Sequence, residues 1–158
     1  MKLYHGSNIF IDSIDLTKGH WGKDFGKGFY LSADKDQAQK MAEVTTFRNS
    51  QGSPTITTFE IDEAIFSSSN LKIKRFDEYT EEWAKFVVSN RRNDIGVQIH
   101  DYDIVIGPIA NDKVGVQMRL YIEKYIDVSE LVKRLRYTHP TFQYFFATPS
   151  SIQYLKRV

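Results

Sequence analysis

The chain contains no cysteine. That absence excludes a disulfide framework, thiolate-ligated zinc, iron–sulfur clusters and a cysteine nucleophile together. A chain without cysteine is also at home in a reducing cytosol, so a cytoplasmic location is expected. An excess of one charge is lacking too: 21 Lys+Arg stand against 20 Asp+Glu, a formal net charge of +1. So balanced a chain has no overall field for non-specific attachment to nucleic acid or an anionic membrane. Long apolar runs are missing: Ile104-Val105-Ile106 is strand-sized, far short of the ~18 residues of a membrane span. The opening Met1-Lys2-Leu3-Tyr4-His5 turns polar at once, so neither a targeting segment nor a membrane partner is expected. His20, His100 and His139 share no ligand spacing, and no metal site is expected.

Aromatic residues are plentiful. Nine Tyr, 11 Phe and two Trp make up 14% of 158 residues, within a hydrophobic share of 41%. That length and apolar content suit one domain, residues 1–158, around a real core. Aromatic rings fill cores, and they also make platforms for flat ligands.

Three stretches carry a helical period. In Asp34 to Arg48, Ala38, Met41, Ala42 and Thr45 follow i, i+3, i+4, i+7, with Asp34 and Asp36 at the positive end. In Asp77 to Arg92, Tyr79, Trp83, Phe86 and Val87 form an apolar stripe, with Glu81 and Glu82 early and Arg91 and Arg92 late. Asp127 to Arg136 turns Val128, Leu131, Val132 and Leu135 inward, and Asp127 with Glu130 resembles a capping box. A short fourth helix starts at Thr148 with Pro149 in its first position. Strand-like runs are Lys2–His5, Gly28–Ser32, Thr55–Ile61, Leu71–Ile73, Asp103–Gly107, Met118–Ile122, Phe142–Ala147 and Tyr154–Val158. Strands mixed irregularly with helices indicate α+β, and two packed antiparallel-rich sheets around a cleft with flanking helices is the expected architecture.

Three segments carry potential chemistry. His5 ends a strand and is followed by Gly6 and Ser7, where a ligand can approach the backbone; equally, the imidazole can simply bond a nearby carbonyl. Phe25-Gly26-Lys27-Gly28-Phe29-Tyr30-Leu31-Ser32 is a glycine-rich loop entering a strand. It lacks the Gly-Lys-Ser/Thr ending of a Walker loop, and its glycines precede a strand instead of a helix. Asp24-Phe25-Gly26 copies a kinase tripeptide without the His-Arg-Asp loop that would accompany it. In Phe142-Gln143-Tyr144-Phe145-Phe146, Gln143 shares a face with Phe145 and is either a structural bridge or a ligand contact. Arg91-Arg92 and Lys133-Arg134 with Arg136 read as solvated helix ends, or as a local basic patch able to guide RNA or DNA.

Taken in order, Tyr4-His5-Gly6-Ser7 and the block from Phe25 to Ser32 resemble the first two signature strands of ADP-ribosyltransferases of the poly(ADP-ribose) polymerase and diphtheria-toxin type. With Asp103 to Asp112 and the late Gln143-Tyr144-Phe145-Phe146 strand, the ordered set is similar to small bacterial proteins of unknown function related to that fold. The resemblance implies an NAD site. His5 would bond the adenosine ribose, Gly6 the nicotinamide carboxamide, and Tyr30 would stack on the nicotinamide, with Ser7, Gly28 and Ser32 in the same cleft. Gln143 falls where the polymerases place a catalytic glutamate, giving a His-Tyr-Gln triad with Tyr30 and Gln143 in catalytic roles. The implied activity is mono-ADP-ribosyl transfer from NAD, as cosubstrate, to an unidentified protein or nucleic acid. The alternatives are an inactive NAD or ADP-ribose binding module and a toxin–antitoxin component with an antitoxin partner. A glutamine brings no negative charge to a reaction that builds positive charge on ribose, so Asp24 and Asp112 are the acids to examine as substitutes.

Overall fold

The computed structural model describes residues 1–136 and 138–158; the side chain of Asp112 lies outside the description. Among the described residues, seven strands form one mixed sheet: β1 (Lys2–Ser7), β2 (Phe29–Ser32), β3 (Thr55–Glu60), β4 (Ile73–Arg75), β5 (Ile104–Pro108), β6 (Phe142–Phe146) and β7 (Lys156–Arg157). Five helices accompany them: α1 (Lys35–Asn49), α2 (Glu81–Arg91), α3 (Asp112–Ile122), α4 (Val128–Leu135) and α5 (Pro149–Ile152). None of these helices is long and apolar enough to cross a membrane. The fold is α+β, as expected.

The strand order is β4-β5-β6-β2-β1-β3-β7, antiparallel except for β4 with β5. The expectation of two packed sheets is therefore corrected to one. Its two halves stay joined, but only just: β1 and β2 are in register at Tyr4↔Ser32 alone. On either side, β1 pairs with β3 over six residues from Lys2↔Glu60 to Ser7↔Thr55, and β2 with β6 over four from Phe29↔Phe146 to Ser32↔Gln143. Beyond Tyr4 and Ser32 the sheet opens between His5-Gly6 and Tyr30.

Each face carries its own core. On one, Leu3, Phe29, Leu31, Phe59, Ile104, Ile106 and Phe146 pack together, covered by the loops around Ile11, Leu16 and Phe66. On the other, Phe145 and Val105 meet Phe25 and the inner faces of α2, α3 and α4, including Trp83, Val87, Met118 and Leu131. Burial of this aromatic and aliphatic surface is the main stabilising term, roughly 1.5–3 kcal/mol for each fully buried large side chain. The α1 helix lies over β1. There a Cβ on Gly6 would come within 1.9 Å of the Ala38 carbonyl oxygen and 2.8 Å of the Ala42 nitrogen. Small residues on both sides let helix and strand backbones touch.

Cap chemistry sets the helix bounds. Asp34, Thr80, Asn111 and Asp127 each accept a bond from a first-turn amide of α1, α2, α3 and α4. Thr148 and Ser151 form a reciprocal capping box on α5, with Pro149 in its first turn, as the sequence indicates. Two expectations fail. Met118–Ile122 is the end of α3 and not a strand, because the Asn111 side chain caps Val114 N at 3.1 Å and starts a helix there. Met41 is 46% exposed, so α1 buries only Ala38 and Ala42 of the predicted stripe.

Candidate functional site

At the opening between β1 and β2 the His5 imidazole fills the gap. Its Nδ1 lies 2.8 Å from the Tyr30 carbonyl oxygen, and its ring stacks on Phe29 at 4.3 Å between centroids. A carbonyl only accepts, so Nδ1 carries the proton and Nε2 is left as a bare acceptor. Burial pushes the His5 imidazole below its ordinary value, while the bond to Tyr30 pulls the other way. The neutral form is favoured. The pleat places His5 on the face opposite Tyr30 and Gln143, and among the described residues no hydrogen bond joins these three side chains to one another.

Tyr30 closes its own loop. The hydroxyl donates to the Gly26 carbonyl oxygen at 2.7 Å and accepts from Phe25 N at 2.9 Å, while the ring packs against Phe145 at 4.8 Å. Burial first, and the Asp24 charge second, raise the phenol well above its usual value, so Tyr30 stays protonated. Gly28 packs tightly under β6: a Cβ there would meet Phe145 Cε2 at 2.4 Å. The buried Ser32 hydroxyl accepts from Asp34 N at 3.0 Å and turns the chain into α1, and Ser7 is buried at the end of β1. The side of Gly6 where a side chain would stand belongs to α1, which leaves only its backbone edge to a ligand.

Gln143 has a partner that its sequence neighbours do not reveal. Its Nε2 donates to Asp24 Oδ2 at 2.9 Å, and Asp24 Oδ1 accepts from Arg91 Nε at 2.8 Å. The carboxylate is 16% exposed and the guanidinium 29%, so the pair is partly shielded from water. Gln143 is therefore not a lone amide in an aromatic strand. Because Asp24 can only accept, it fixes which way the amide lies, and Gln143 Oε1 turns away with no partner among the described residues. Asp112, the other acid considered, has a side chain outside the described residues.

Arg91 is thus no simple solvated helix end. Its helix is anchored by Trp83 Nε1, which donates to the Pro108 carbonyl at 3.1 Å, and by the Tyr79 hydroxyl, which donates to the Ile109 carbonyl at 2.9 Å. Burial, with the Asp24 charge behind it, pushes the Tyr79 phenol up to about 12. A late arginine on a helix looks like dipole complementarity in sequence; only the fold brings it against Asp24, 67 residues away. His100 supports the same wall: its Nε2 meets the Phe25 carbonyl at 2.7 Å, and Tyr102 N donates to its Nδ1 at 3.2 Å.

Beyond Arg91 lies a surface pocket of about 490 Å³ lined by Arg91, Ala110, Asn111, Gly115, Val116, Arg119 and Ile122. His5, Tyr30 and Gln143 do not line it. Among the described residues no cluster of His, Asp and Glu could hold a metal ion. A protein-family model described as Protein of unknown function (DUF3990) matches residues 1–157. No curated protein and no solved structure matches the chain.

Proposed function

The chain belongs to the family described as Protein of unknown function (DUF3990), and from that premise we propose that it is a mono-ADP-ribosyltransferase that uses NAD and a His-Tyr-Gln triad. The observation that carries this reading is the Gln143 Nε2 to Asp24 Oδ2 bond at 2.9 Å. It returns a carboxylate to the position where a glutamine alone would bring none. Bound NAD supplies an activated ribose: the nicotinamide–ribose C–N bond breaks with its electron pair on nicotinamide, an acceptor nucleophile bonds the ribose carbon, and the acceptor's proton passes to solvent.

The chain's own groups fit that substrate. His5 Nε2 is an acceptor suited to a ribose hydroxyl, because Nδ1 is committed to Tyr30. The Gly6 backbone edge faces the unpaired stretch of the ladder and suits a planar carboxamide. Tyr30 offers its ring to nicotinamide, with its hydroxyl used to shape the loop from Phe25 to Tyr30. Gln143 Oε1 accepts from a ribose hydroxyl, and Asp24 behind it brings negative charge toward a ribose that becomes positive. Arg91 holds that carboxylate in place and offsets part of its charge. The arrangement therefore favours a single transfer over chain elongation.

The test is transfer of label from adenine-labelled NAD to protein or nucleic acid, read together with nicotinamide release. Gln143→Ala should lower turnover about 10²-fold while NAD affinity changes little, as for an oriented group that acts mainly in the transition state. Thermal stabilisation by NAD without label transfer would make the chain a binding module. Absence of both would overturn the NAD site altogether.

A further inference from the structure

Resting on that reading, we infer that the pocket between α2 and α3 is an anion site that takes a phosphate group of the acceptor substrate.

Its chemistry is one-sided. Two guanidiniums, Arg91 and Arg119, line it, and among the described residues no carboxylate does. Arg91 spends only Nε on Asp24, and no acceptor among the described residues meets its two terminal nitrogens. Arg119 makes no ion pair or side-chain hydrogen bond among the described residues, so its whole fork is available. Such forks match phosphate oxygens in pairs. Asn111, the other polar side chain in the lining, accepts from Val114 N in its cap and adds no negative charge.

The glycine in the pocket wall is the second observation. Gly115 stands inside α3, where glycine is roughly 1 kcal/mol less favourable than alanine. Nothing lies within 4 Å of where its Cβ would be, so no packing constraint calls for a glycine. What the missing side chain gives is room, at a pocket of about 490 Å³.

Position assigns the pocket to the acceptor and not to NAD. In the sheet order β5-β6-β2-β1, Gln143 stands on β6 and His5 on β1, roughly 10 Å apart at two strand spacings. The pocket follows β5 through Ala110 and Asn111, on the far side of Gln143 from His5. Arg91 links the two regions: its Nε bonds Asp24, and the same residue lines the pocket. A phosphate held there would bring an acceptor to the edge of Gln143 while NAD occupies the His5 side.

The experiment titrates the full chain, without NAD, with inorganic pyrophosphate and separately with a short 5′-phosphorylated oligonucleotide, following backbone amide shifts of Gly115, Val116 and Arg119. Binding should be saturable, shift those amides and weaken with salt. Arg119→Gln and Gly115→Leu should each weaken it about tenfold, one by removing a fork and the other by filling the space. A parallel NAD titration should show unchanged affinity in both variants. Unshifted amides, or wild-type binding in both variants, would overturn the site. Loss of NAD affinity equal to the loss of pyrophosphate affinity would assign the pocket to the donor and overturn the acceptor role. Pyrophosphate binding with no NAD binding at all would defeat the transferase reading and leave the anion site standing. Oligonucleotide binding much tighter than pyrophosphate identifies a nucleic-acid acceptor; equal affinities identify a small phosphorylated one.

Discussion

A neutral amide can serve a charged transition state only if something holds it and something nearby carries charge. Asp24 does both for Gln143, with one oxygen on the amide at 2.9 Å and the other on Arg91 at 2.8 Å. Asp24→Asn keeps the shape but removes both properties. An asparagine can donate or accept, so Gln143 is free to flip, and Arg91 loses its counter-ion. The expected result is a drop in turnover of tenfold or more with little change in NAD affinity, plus a stability loss of about 1–3 kcal/mol from the broken charged bonds. Asp24→Glu, which retains the charge, should recover turnover in part. Equal turnover in wild type and Asp24→Asn would reduce the contact to a structural one. This pairing was half legible in the sequence. Gln143 and Asp24 each stand out, one as an amide among rings and the other as an acid beside a glycine loop. Their 119-residue separation hides the bond, because no local pattern encodes a contact made through tertiary packing.

Two glycines show how differently the same residue acts in different elements. Gly6 lets α1 rest on β1, and an added Cβ would sit 1.9 Å from the Ala38 oxygen. Gly6→Ala must push the helix away and should destabilise by about 1–3 kcal/mol, lowering Tm by roughly 2–4 °C for each kcal/mol. Gly115 faces open space, and Gly115→Ala should stabilise α3 by up to about 1 kcal/mol. Urea unfolding of both variants checks the opposite signs; two changes of the same sign would contradict the packing described. The same comparison explains where sequence periodicity misled. Met118, Leu120 and Ile122 alternate as a strand would, yet Val114 and Met118 are the buried pair, four residues apart on a helix. Helix α1 hid its inward face for the converse reason. Contact with Gly6 requires small residues there, so Ala38 and Ala42 carry the burial and Met41 is left outside. The remaining helices were legible because a local cap marked their starts: Asp127 and Asp34 accept from amides two or three residues on, and Thr148 N donates to Ser151 Oγ at 3.3 Å.

At the scale of the whole molecule, the two halves of the single sheet join at one weak seam, Tyr4↔Ser32, while the core on one face runs across both halves, from Leu3 and Phe59 to Ile104 and Phe146. Two histidines reinforce that region, His5 by bonding β1 to the Tyr30 carbonyl and His100 by holding the Phe25 carbonyl. Both have their protonation pushed below the ordinary value, chiefly by burial. The sign follows. Below about pH 6.5 the unfolded chain binds protons on these imidazoles that the folded chain refuses, so stability falls as the solution is acidified and levels off once the folded values are passed. Each histidine contributes at most about 1.4 kcal/mol per pH unit within that window. His100 has a further reason to resist a proton, since its Nδ1 already accepts from Tyr102 N. The urea midpoint should therefore be flat above about pH 7 and decline between about pH 6.5 and 5, and His100→Gln should make the decline shallower. NAD affinity should hold while the folded His5 stays neutral and fall only at lower pH, where protonation converts His5 Nε2 from acceptor to donor, and His5→Gln should lose that pH dependence. A midpoint that rises between about pH 6.5 and 5 would show that the folded imidazoles are not held neutral, and an NAD affinity that already falls between about pH 7.5 and 6.5 would show that the neutral His5 tautomer is not what the ligand meets.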